Sequence, residues 1–245
     1  MEVIGFAYPN YSLILKMFSR EIILTADGSA TIFIPDWEES YHSRHGSIQE
    51  AYHVFIKNGL DEFSARNPIH ILEIGFGTGL NAFITLLESN ERNLKIHYTG
   101  IEKYPVSAEE AQKLNYPKIL NKWNPQFSVD ELEKYYFDLM NSVWEKEISI
   151  NSEFNLTKIQ ADFLEFNYPE NQFDLIYFDA FGARVQPELW TEILFEKLFK
   201  SLKNRGIFTT YSSKGSVRRA LIEVGFKVEK RPGPPGKREM LVAIK

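Results

Sequence analysis

The residues of this sequence that are best suited to chemistry are acids and glycines at the ends of apolar stretches. The apolar run 69–74 is followed by three glycines at alternate positions, Gly75, Gly77 and Gly79. Glycines this close together between a strand and a helix let the backbone turn sharply and approach a ligand. Glu73 precedes the turn, and its carboxylate would repel a pyrophosphate but would suit an ammonium group. The turn also lacks the G-x-G-x-x-G spacing of a dinucleotide site and the lysine of a P-loop.

The pattern E-x-G-x-G-x-G resembles motif I of the class I S-adenosyl-L-methionine-dependent methyltransferases, in which the turn accommodates the methionine end of the cofactor. The resemblance implies S-adenosyl-L-methionine as the cofactor of this chain. It also implies that the cofactor-binding residues at this turn are Glu73, Gly75, Gly77, Gly79 and Asn81. A glycine-rich turn that binds no ligand is the plainer alternative.

Two more acids follow predicted strands and complete a cofactor site. Glu102 ends the strand predicted at 95–101, where nucleoside-binding α/β folds place an acid that accepts hydrogen bonds from ribose hydroxyls. Asp162 follows the strand predicted at 156–160, and the resemblance implies that it accepts a hydrogen bond from the adenine amino group. A solvated acid at a strand end is the alternative for Glu102.

Asp179 is the candidate catalytic residue, because it follows the strand predicted at 173–178 and so lies at the cofactor edge. Methyl transfer is an in-line displacement at a sulfonium carbon, and a protonated amine has no lone pair for the attack. We expect Asp179 to orient the amine and to accept its proton, with orientation as the larger contribution. It is also counted among the cofactor-binding residues. A helix cap or another structural role is the alternative.

Composition narrows the possible classes of protein. The chain has 245 residues and no cysteine, which excludes a disulfide framework, a thiol nucleophile and a thiolate metal site. Its five histidines form no H-E-x-x-H pattern, and we predict no metal. We see no secretory signal and no apolar run of membrane length, so we expect a cytoplasmic enzyme and no membrane partner.

The charge is unevenly distributed. The net charge is −5, but residues 196–245 contain 13 Lys and Arg against 4 Glu, a local charge of +9. This asymmetry indicates a surface for a polyanion. The alternative is that these basic residues only solvate the last helices and strands.

The elements that must position these residues alternate between strands and helices. We predict an α/β fold, a Rossmann-like class I methyltransferase with a seven-stranded sheet and a small N-terminal antiparallel β appendage. The appendage is residues 1–36, with strands at 12–19, 21–25 and 30–34, and the methyltransferase domain is residues 37–245. A polar link at 37–45 leads to a helix at 46–60.

A helical insertion is predicted at about 104–150. Its helices are expected at 107–114 and 129–144, with Val143 on the inward face of the second and Pro117 and Pro125 interrupting the segment between them. The chain ends with a helix at 187–202, a strand at 207–211, a helix at 216–224 capped by Gly225, and a hairpin of strands 226–229 and 240–244.

Several longer segments make the resemblance more specific. They are ESYHSRHG (39–46), QEAYHVFI (49–56), DAFGARVQPELW (179–190), TYSSKGSVRRALIEVGF (210–226) and PGPPGKREML (232–241). Together they resemble the tRNA 5-aminomethyl-2-thiouridine methyltransferase family, which comprises the methyltransferase domain of the bifunctional MnmC enzymes and the stand-alone MnmD type. The resemblance covers roughly residues 20–245.

The resemblance implies methylation of the exocyclic amine of 5-aminomethyl(-2-thio)uridine at the tRNA wobble position, with tRNA as the partner. It implies no FAD, because the chain has neither the length nor a second glycine fingerprint for the oxidase domain of bifunctional members. The substrate-binding candidates are Tyr41, His42, Lys214, Arg218, Arg219, Lys237 and Arg238, with Ser43 and Gln49 as further pocket candidates. Packing under the sheet is the alternative for Tyr41 and His42. Phe181 or Trp190 could stack on a base, although both also suit a core.

Three matters stay open at this point. The loop after Asp179 lacks a proline that is common in the family, which leaves the role of Arg184 undecided. A methyltransferase or aminopropyltransferase acting on a small-molecule amine is the first rival reading. A non-catalytic module that keeps the fold is the second, and retention of all four acids argues against it.

Overall fold

The computed structural model describes residues 19–63 and 68–245. The strand predicted at 12–19 therefore lies almost entirely outside the described residues. The chain first forms a small antiparallel sheet of β1 (Glu21–Leu24), β2 (Ala30–Ile34) and β3 (Glu39–Ser40), in that order. The first two strands were predicted, whereas β3 forms within the segment that we interpreted as a polar link. The division at residue 36 stays a prediction.

The second sheet has eight strands and carries the site. Its strands are β4 (Ile69–Ile74), β5 (Ile96–Glu102), β6 (Glu147–Ser149), β7 (Phe154–Gln160), β8 (Phe173–Phe178), β9 (Leu202–Thr210), β10 (Lys227–Pro232) and β11 (Glu239–Ile244). Their order across the sheet is β10-β11-β9-β8-β4-β5-β7-β6.

The five central strands, β9, β8, β4, β5 and β7, are parallel. Strand β11 runs antiparallel between β9 and β10, which makes the final hairpin. This arrangement confirms the predicted methyltransferase sheet, and β6 adds one antiparallel strand beside β7 that we did not predict. Every residue of β8 is buried, as expected for a strand covered on both faces.

Helices cover both faces of this sheet. They are α1 (Ser47–Ala51), which continues as a π-helical segment (Tyr52–Lys57), α2 (Leu80–Arg92), α3 (Ala108–Gln112), α4 (Tyr116–Trp123), α5 (Val129–Asn141), α6 (Glu192–Ser201) and α7 (Gly215–Glu223). Neighbouring residues of one strand point to opposite faces. Ile71 packs with α1, α2 and the insertion, and Leu72 packs with α6 and α7.

Short 3-10 helices complete the described elements, at Pro35–Trp37, Leu60–Phe63 and Pro187–Trp190. Within the described residues, no helix is both long enough and apolar enough to span a bilayer. The same residues contain no group of three or more His, Cys, Asp or Glu side chains that could hold a metal ion.

The insertion differs from its prediction in two places. Helix α4 occupies the segment that prolines were expected to interrupt. Pro117 lies in its first turn, where a backbone N–H has no partner within the helix and a proline is tolerated. The prediction for Val143 was wrong, because α5 ends at Asn141 and Val143 is 55% exposed. Capping boxes begin α3 at Ser107 and α5 at Ser128.

The appendage supplies the cap of helix α1. In the turn between β1 and β2, Asp27 accepts backbone hydrogen bonds through Oδ2 from Ile48 (3.1 Å) and Gln49 (3.2 Å). Its Oδ1 accepts from the Ser29 backbone at 3.0 Å. Burial opposes the charged form, but these hydrogen bonds, led by those from Ser29, hold the pKa of Asp27 below its ordinary value. The carboxylate therefore joins the small sheet to the helix that leads into the site.

We predict that Asp27→Ala lowers the free energy of unfolding by about 1–2 kcal/mol, because the first turn of α1 loses its side-chain acceptor. Urea unfolding followed by circular dichroism measures the change. Asp130→Ala is the matched control, since Asp130 is an exposed acid in the first turn of α5. Equal stability of the two variants would contradict the capping role.

Candidate active site

The carboxyl ends of the central strands open into a cavity of about 540 Å³. The predicted site residues that line it are Tyr41, His42, Gly75, Gly77, Glu102, Asp179, Lys214 and Lys237. Glu50, Lys103 and Tyr211 also line the cavity, and we had not selected them from the sequence. A cavity of this size at the carboxyl edge of parallel strands is typical of a small-molecule site.

The glycine turn lets two backbone segments approach each other. Gly75 has φ 91°, and a Cβ at this position would lie 2.7 Å from the Asp179 carbonyl oxygen. A Cβ at Gly77 would lie 3.0 Å from the ring of Tyr41. Gly79 begins α2 and packs against Met140 instead of lining the cavity. The first two glycines thus shape the cavity floor, and the third allows the helix to pack.

Asn81 connects the two acids at the centre of the site. Its Nδ2 donates hydrogen bonds to Glu73 Oε1 and to Asp179 Oδ2, both at 2.8 Å. Tyr98 donates its hydroxyl to the other Glu73 oxygen at 2.8 Å. The buried Oδ1 atom of Asn81 has no hydrogen-bond partner among the described residues. One amide group therefore holds both carboxyl groups and leaves an acceptor unsatisfied beside them.

Burial changes the acidity of both carboxyl groups. Glu73 is fully buried beneath the turn and does not line the cavity, and desolvation raises its pKa well above the ordinary value. Desolvation, and next the charge of Glu50, raise the pKa of Asp179 to about 7. Asp179 can therefore exchange a proton near neutral pH, whereas an ordinary aspartate is a much weaker base.

The two remaining acids differ in how far they reach the cavity. Glu102 lines it and accepts backbone hydrogen bonds from Gly77 at 3.0 Å and Tyr104 at 2.8 Å, so it also fixes the turn. Burial raises its pKa, and these backbone donors oppose that effect. Asp162 forms an ion pair with Lys103 at 2.5 Å and does not line the cavity, although Lys103 does. The proposed adenine contact of Asp162 would therefore involve a carboxylate that is already paired.

The aromatic candidates lie on one wall. Tyr41 packs edge-on against Phe181, with 5.0 Å between ring centres, and both line the cavity. Trp190 is buried in the core and donates its indole N–H to the Phe181 carbonyl oxygen at 2.8 Å. The Nδ1 atom of His42 lies 3.2 Å from Thr31 Oγ1, and burial lowers the pKa of this histidine to about 4. His42 is therefore neutral at physiological pH.

The cationic candidates separate into two groups. Lys237 and Lys214 line the cavity. Lys237 forms an ion pair with Glu50, with 2.6 Å between Nζ and Oε1. Arg218, Arg219 and Arg238 lie outside the cavity. Within residues 19–63 and 68–245, no carboxylate is within ion-pair distance of Lys214 or of these three arginines.

Among the minor candidates, Ser43 lines the cavity and donates its backbone N–H to Glu50, whereas Gln49 does not line the cavity. Arg184, whose role the sequence left open, donates to the Trp37 carbonyl oxygen at 2.6 Å and pairs with Glu39 at 3.0 Å. Arg184 therefore connects the loop after β8 to β3 and to the segment that precedes β3.

The chemistry of these residues fits S-adenosyl-L-methionine. The turn presents a floor without Cβ atoms at Gly75 and Gly77, where an amino-acid moiety can lie close to the backbone. The carboxyl group of Asp179 suits an ammonium group, whereas Asn81 does not line the cavity and supports the site through its hydrogen bonds to Glu73 and Asp179. Glu102, at the tip of β5, suits ribose hydroxyls.

Comparisons with known proteins agree with this assignment. A family described as "S-adenosyl-L-methionine-dependent methyltransferase" matches residues 129–245. The protein named "tRNA 5-methylaminomethyl-2-thiouridine biosynthesis bifunctional protein MnmC" is 32% identical in Cupriavidus metallidurans, over 91% of this chain and 33% of the relative. Its Burkholderia multivorans counterpart is 33% identical, over 86% of this chain and 33% of the relative. The chain thus spans about a third of the length of these relatives.

Among solved structures, MnmC2 from Aquifex aeolicus matches with a TM-score of 0.69 and 25% identity, over 98% of this chain and 78% of that one. Spermidine synthase from Thermotoga maritima matches with a TM-score of 0.54 and 14% identity, over 93% of this chain and 68% of that one, which shows a shared fold.

The order of the strands and the match of residues 129–245 to that family together give the chain the fold of a class I S-adenosyl-L-methionine-dependent methyltransferase. The chain is similar to the MnmC bifunctional proteins, which confirms the resemblance found in its sequence.

We predict that Asn81→Ala weakens S-adenosyl-L-methionine binding by about tenfold or more, because two buried carboxyl groups lose their common donor. Calorimetric titration of the cofactor measures this change. Asn58→Ala is the matched control, since Asn58 is a buried amide that donates to the His53 carbonyl oxygen outside the cavity. Normal cofactor affinity in Asn81→Ala would refute the role of this amide.

Proposed function

We propose that this chain methylates the exocyclic amine of 5-aminomethyl(-2-thio)uridine at the wobble position of tRNA, giving the 5-methylaminomethyl product. The observation that carries the proposal is the Asp179 carboxyl group at the cavity, held by Asn81 and with a pKa of about 7. The names of the relatives, which specify tRNA 5-methylaminomethyl-2-thiouridine biosynthesis, support the choice of acceptor.

The proposed chemistry assigns a separate task to each part of the site. Bound S-adenosyl-L-methionine supplies a methyl group on a sulfonium. Asp179 accepts hydrogen bonds from the acceptor ammonium and takes one proton, which leaves a neutral amine with a lone pair. With the cofactor bound, the N–C bond would form as the S–C bond breaks, which would give a methylated ammonium and a neutral thioether. Because the pKa of Asp179 is about 7, the proton transfer is far less uphill than it would be to an exposed aspartate.

The cavity wall supports a nucleobase as the acceptor. The rings of Tyr41 and Phe181 line it on the side next to Gly77 and Asp179. Aromatic side chains commonly stack on the unpaired bases of RNA loops, and an anticodon base must leave its stack to enter such a cavity. This arrangement favours a base-sized acceptor over a slender aliphatic amine.

The unpaired cations support a polyanionic partner. Lys214 lies at the cavity, and Arg218 and Arg219 lie on α7, which begins at the next residue. Among the described residues, no carboxylate forms an ion pair with these three cations. Arg238 lies in the loop between β10 and β11. Phosphates attract such cations without regard to sequence, and a tRNA presents them on both sides of the anticodon.

We limit the proposed activity to methyl transfer, because the observations that support the proposal concern the carboxyl group of Asp179 and the glycine turn. FAD-dependent oxidation is not part of the proposal. A tRNA substrate also supports the predicted cytoplasmic location.

The test uses labelled S-adenosyl-L-methionine and tRNA that carries the 5-aminomethyl group. We expect label in a wobble nucleoside, and a loss of activity by a factor of about 100 or more in Asp179→Asn. An asparagine oxygen can still accept the hydrogen bond from Asn81, and calorimetric titration of the cofactor with this variant separates a loss of cofactor binding from a loss of proton transfer. Label only in small amines such as polyamines would favour the small-molecule alternative, and no transfer at all would favour a non-catalytic module.

We predict that Arg218→Ala/Arg219→Ala raises the KM for tRNA about fivefold and reduces its dependence on salt, because up to two phosphate contacts are lost. The kcat and the affinity for S-adenosyl-L-methionine should be unchanged. The control is Lys200→Ala/Lys230→Ala, which removes two cations already paired with Glu196 and Glu239. An equal effect of the two double variants would remove α7 from the proposed tRNA surface.

A further inference from the structure

Glu50 is a carboxylate in the cavity wall for which neither the sequence nor the proposed chemistry has yet supplied a role. It lies in α1, and its side chain is 12% exposed. The Ser43 backbone N–H donates to Oε2 at 3.0 Å, and Lys237 Nζ donates to Oε1 at 2.6 Å. Both oxygens therefore have fixed donors, and the orientation of the carboxylate is set.

Lys237 reaches Glu50 from the loop between β10 and β11. Its Nζ lies 4.0 Å from the centre of the Tyr211 ring. The Tyr211 hydroxyl in turn donates to the Ala180 carbonyl oxygen at 2.9 Å, next to Asp179 in the chain. A continuous set of contacts thus runs from Glu50 to the strand end that carries Asp179.

Several elements contribute titratable groups to the surroundings of Asp179. These groups are Glu50 from α1, Glu73 from β4, Tyr98 from β5, Tyr116 from α4, Tyr211 after β9 and Lys237 from the β10–β11 loop. Burial favours the neutral forms of Glu73 and the tyrosines. Within this set, Glu50 and Lys237 form an ion pair with each other.

We propose that Glu50 is a positioning residue for the acceptor amine, acting through Asp179. It holds Lys237 in the cavity wall, and its negative charge keeps Asp179 able to bind and deprotonate an ammonium. Without Glu50, the Lys237 ammonium would be free to pair with Asp179, would repel a cationic acceptor and would make Asp179 a weaker base. The site thereby selects an ammonium over a neutral hydroxyl or ring carbon. This inference rests on the proposed function and extends it to the choice of acceptor.

The electrostatics agree with the geometry. After desolvation, Glu50 is the largest influence that raises the pKa of Asp179 to about 7, and Lys237 acts in the opposite direction. Asp179 must be deprotonated to accept a proton, so methyl transfer should rise with pH through a midpoint near 7. Removing the Glu50 charge should move that midpoint to lower pH.

The test compares Glu50→Gln with wild type in the pH dependence of kcat/KM for aminomethyl tRNA. Glutamine keeps the size and a carbonyl acceptor but removes the charge. We expect the acid-side midpoint to fall by about 1 pH unit and the KM for tRNA to rise about tenfold, with cofactor affinity unchanged. Glu62→Gln is the matched control, because Glu62 pairs with Arg231 of the same hairpin at 2.9 Å but does not line the cavity.

A double variant separates the charge effect from a packing effect. Glu50→Gln/Lys237→Met removes the released cation as well, so its acid-side midpoint should return part of the way towards wild type. A midpoint that does not move in Glu50→Gln, in protein that binds cofactor normally, would overturn the proposal. Identical midpoints for the single and double variants would overturn the part assigned to Lys237.

A second measurement does not depend on activity. Carboxyl ¹³C NMR can follow the titration of Asp179, with the signal assigned by its absence in Asp179→Asn. The expected result is a midpoint near 7 in wild type and a lower one in Glu50→Gln. If wild type transferred no methyl group to tRNA, the proposed function would fail, while this titration would still decide whether Glu50 tunes Asp179.

Discussion

The site depends on one side-chain amide that holds two carboxyl groups in a dry environment. Asn81 can donate to Glu73 and Asp179 together only because α2 begins directly after the glycine turn and β4 and β8 are neighbours. Removing water raises the proton affinity of both acids, so neither behaves as an ordinary carboxylate. The cost of burying them would be large without a donor between them. The proposed cofactor site and the proposed proton acceptor therefore share a single structural support.

The cavity is lined in part by segments that are distant in sequence from the central parallel strands. Asp27 of the small sheet caps α1, α1 carries Glu50, and Glu50 binds Lys237 of the last hairpin loop. Gly236 of the same loop packs against His45, where a Cβ would lie 2.3 Å from the ring. The N-terminal and C-terminal parts of the described chain thus meet over the cofactor edge. The proposed acceptor end of the cavity is built by these additions, while the parallel strands build the proposed cofactor end.

This division explains which features the sequence could predict. The limits of β2, β4 and β8 follow from apolar runs bounded by turn residues, and each agreed with its prediction to within a residue. The acids at strand ends were found by the same reasoning, because parallel strands bring their carboxyl ends to one edge. Glu50 was missed because nothing local distinguishes it from a solvated acid in the first turn of a helix. Its role arises from Lys237, 187 positions further on.

Helix α4 was missed for a different reason. Pro117 was treated as an interruption, yet its position in the first turn costs the helix no hydrogen bond. Local sequence does not state whether a proline lies at the start or the middle of a helix until the neighbouring packing is known. The buried side chains of Tyr116 and Leu120 supply that packing, against the same core as α2 and α5.

The basic C-terminal segment shows the same limit of composition. The local charge of +9 counts every Lys and Arg of the segment equally, but these cations have two different roles in the fold. Lys203 neutralises the buried Asp174, and Lys237 neutralises Glu50, so both contribute to the structure of the interior. Arg218 and Arg219 have no such partner among the described residues and remain available to phosphates. A charge count therefore overstates the polyanion surface, because it includes cations whose field is already cancelled within the fold.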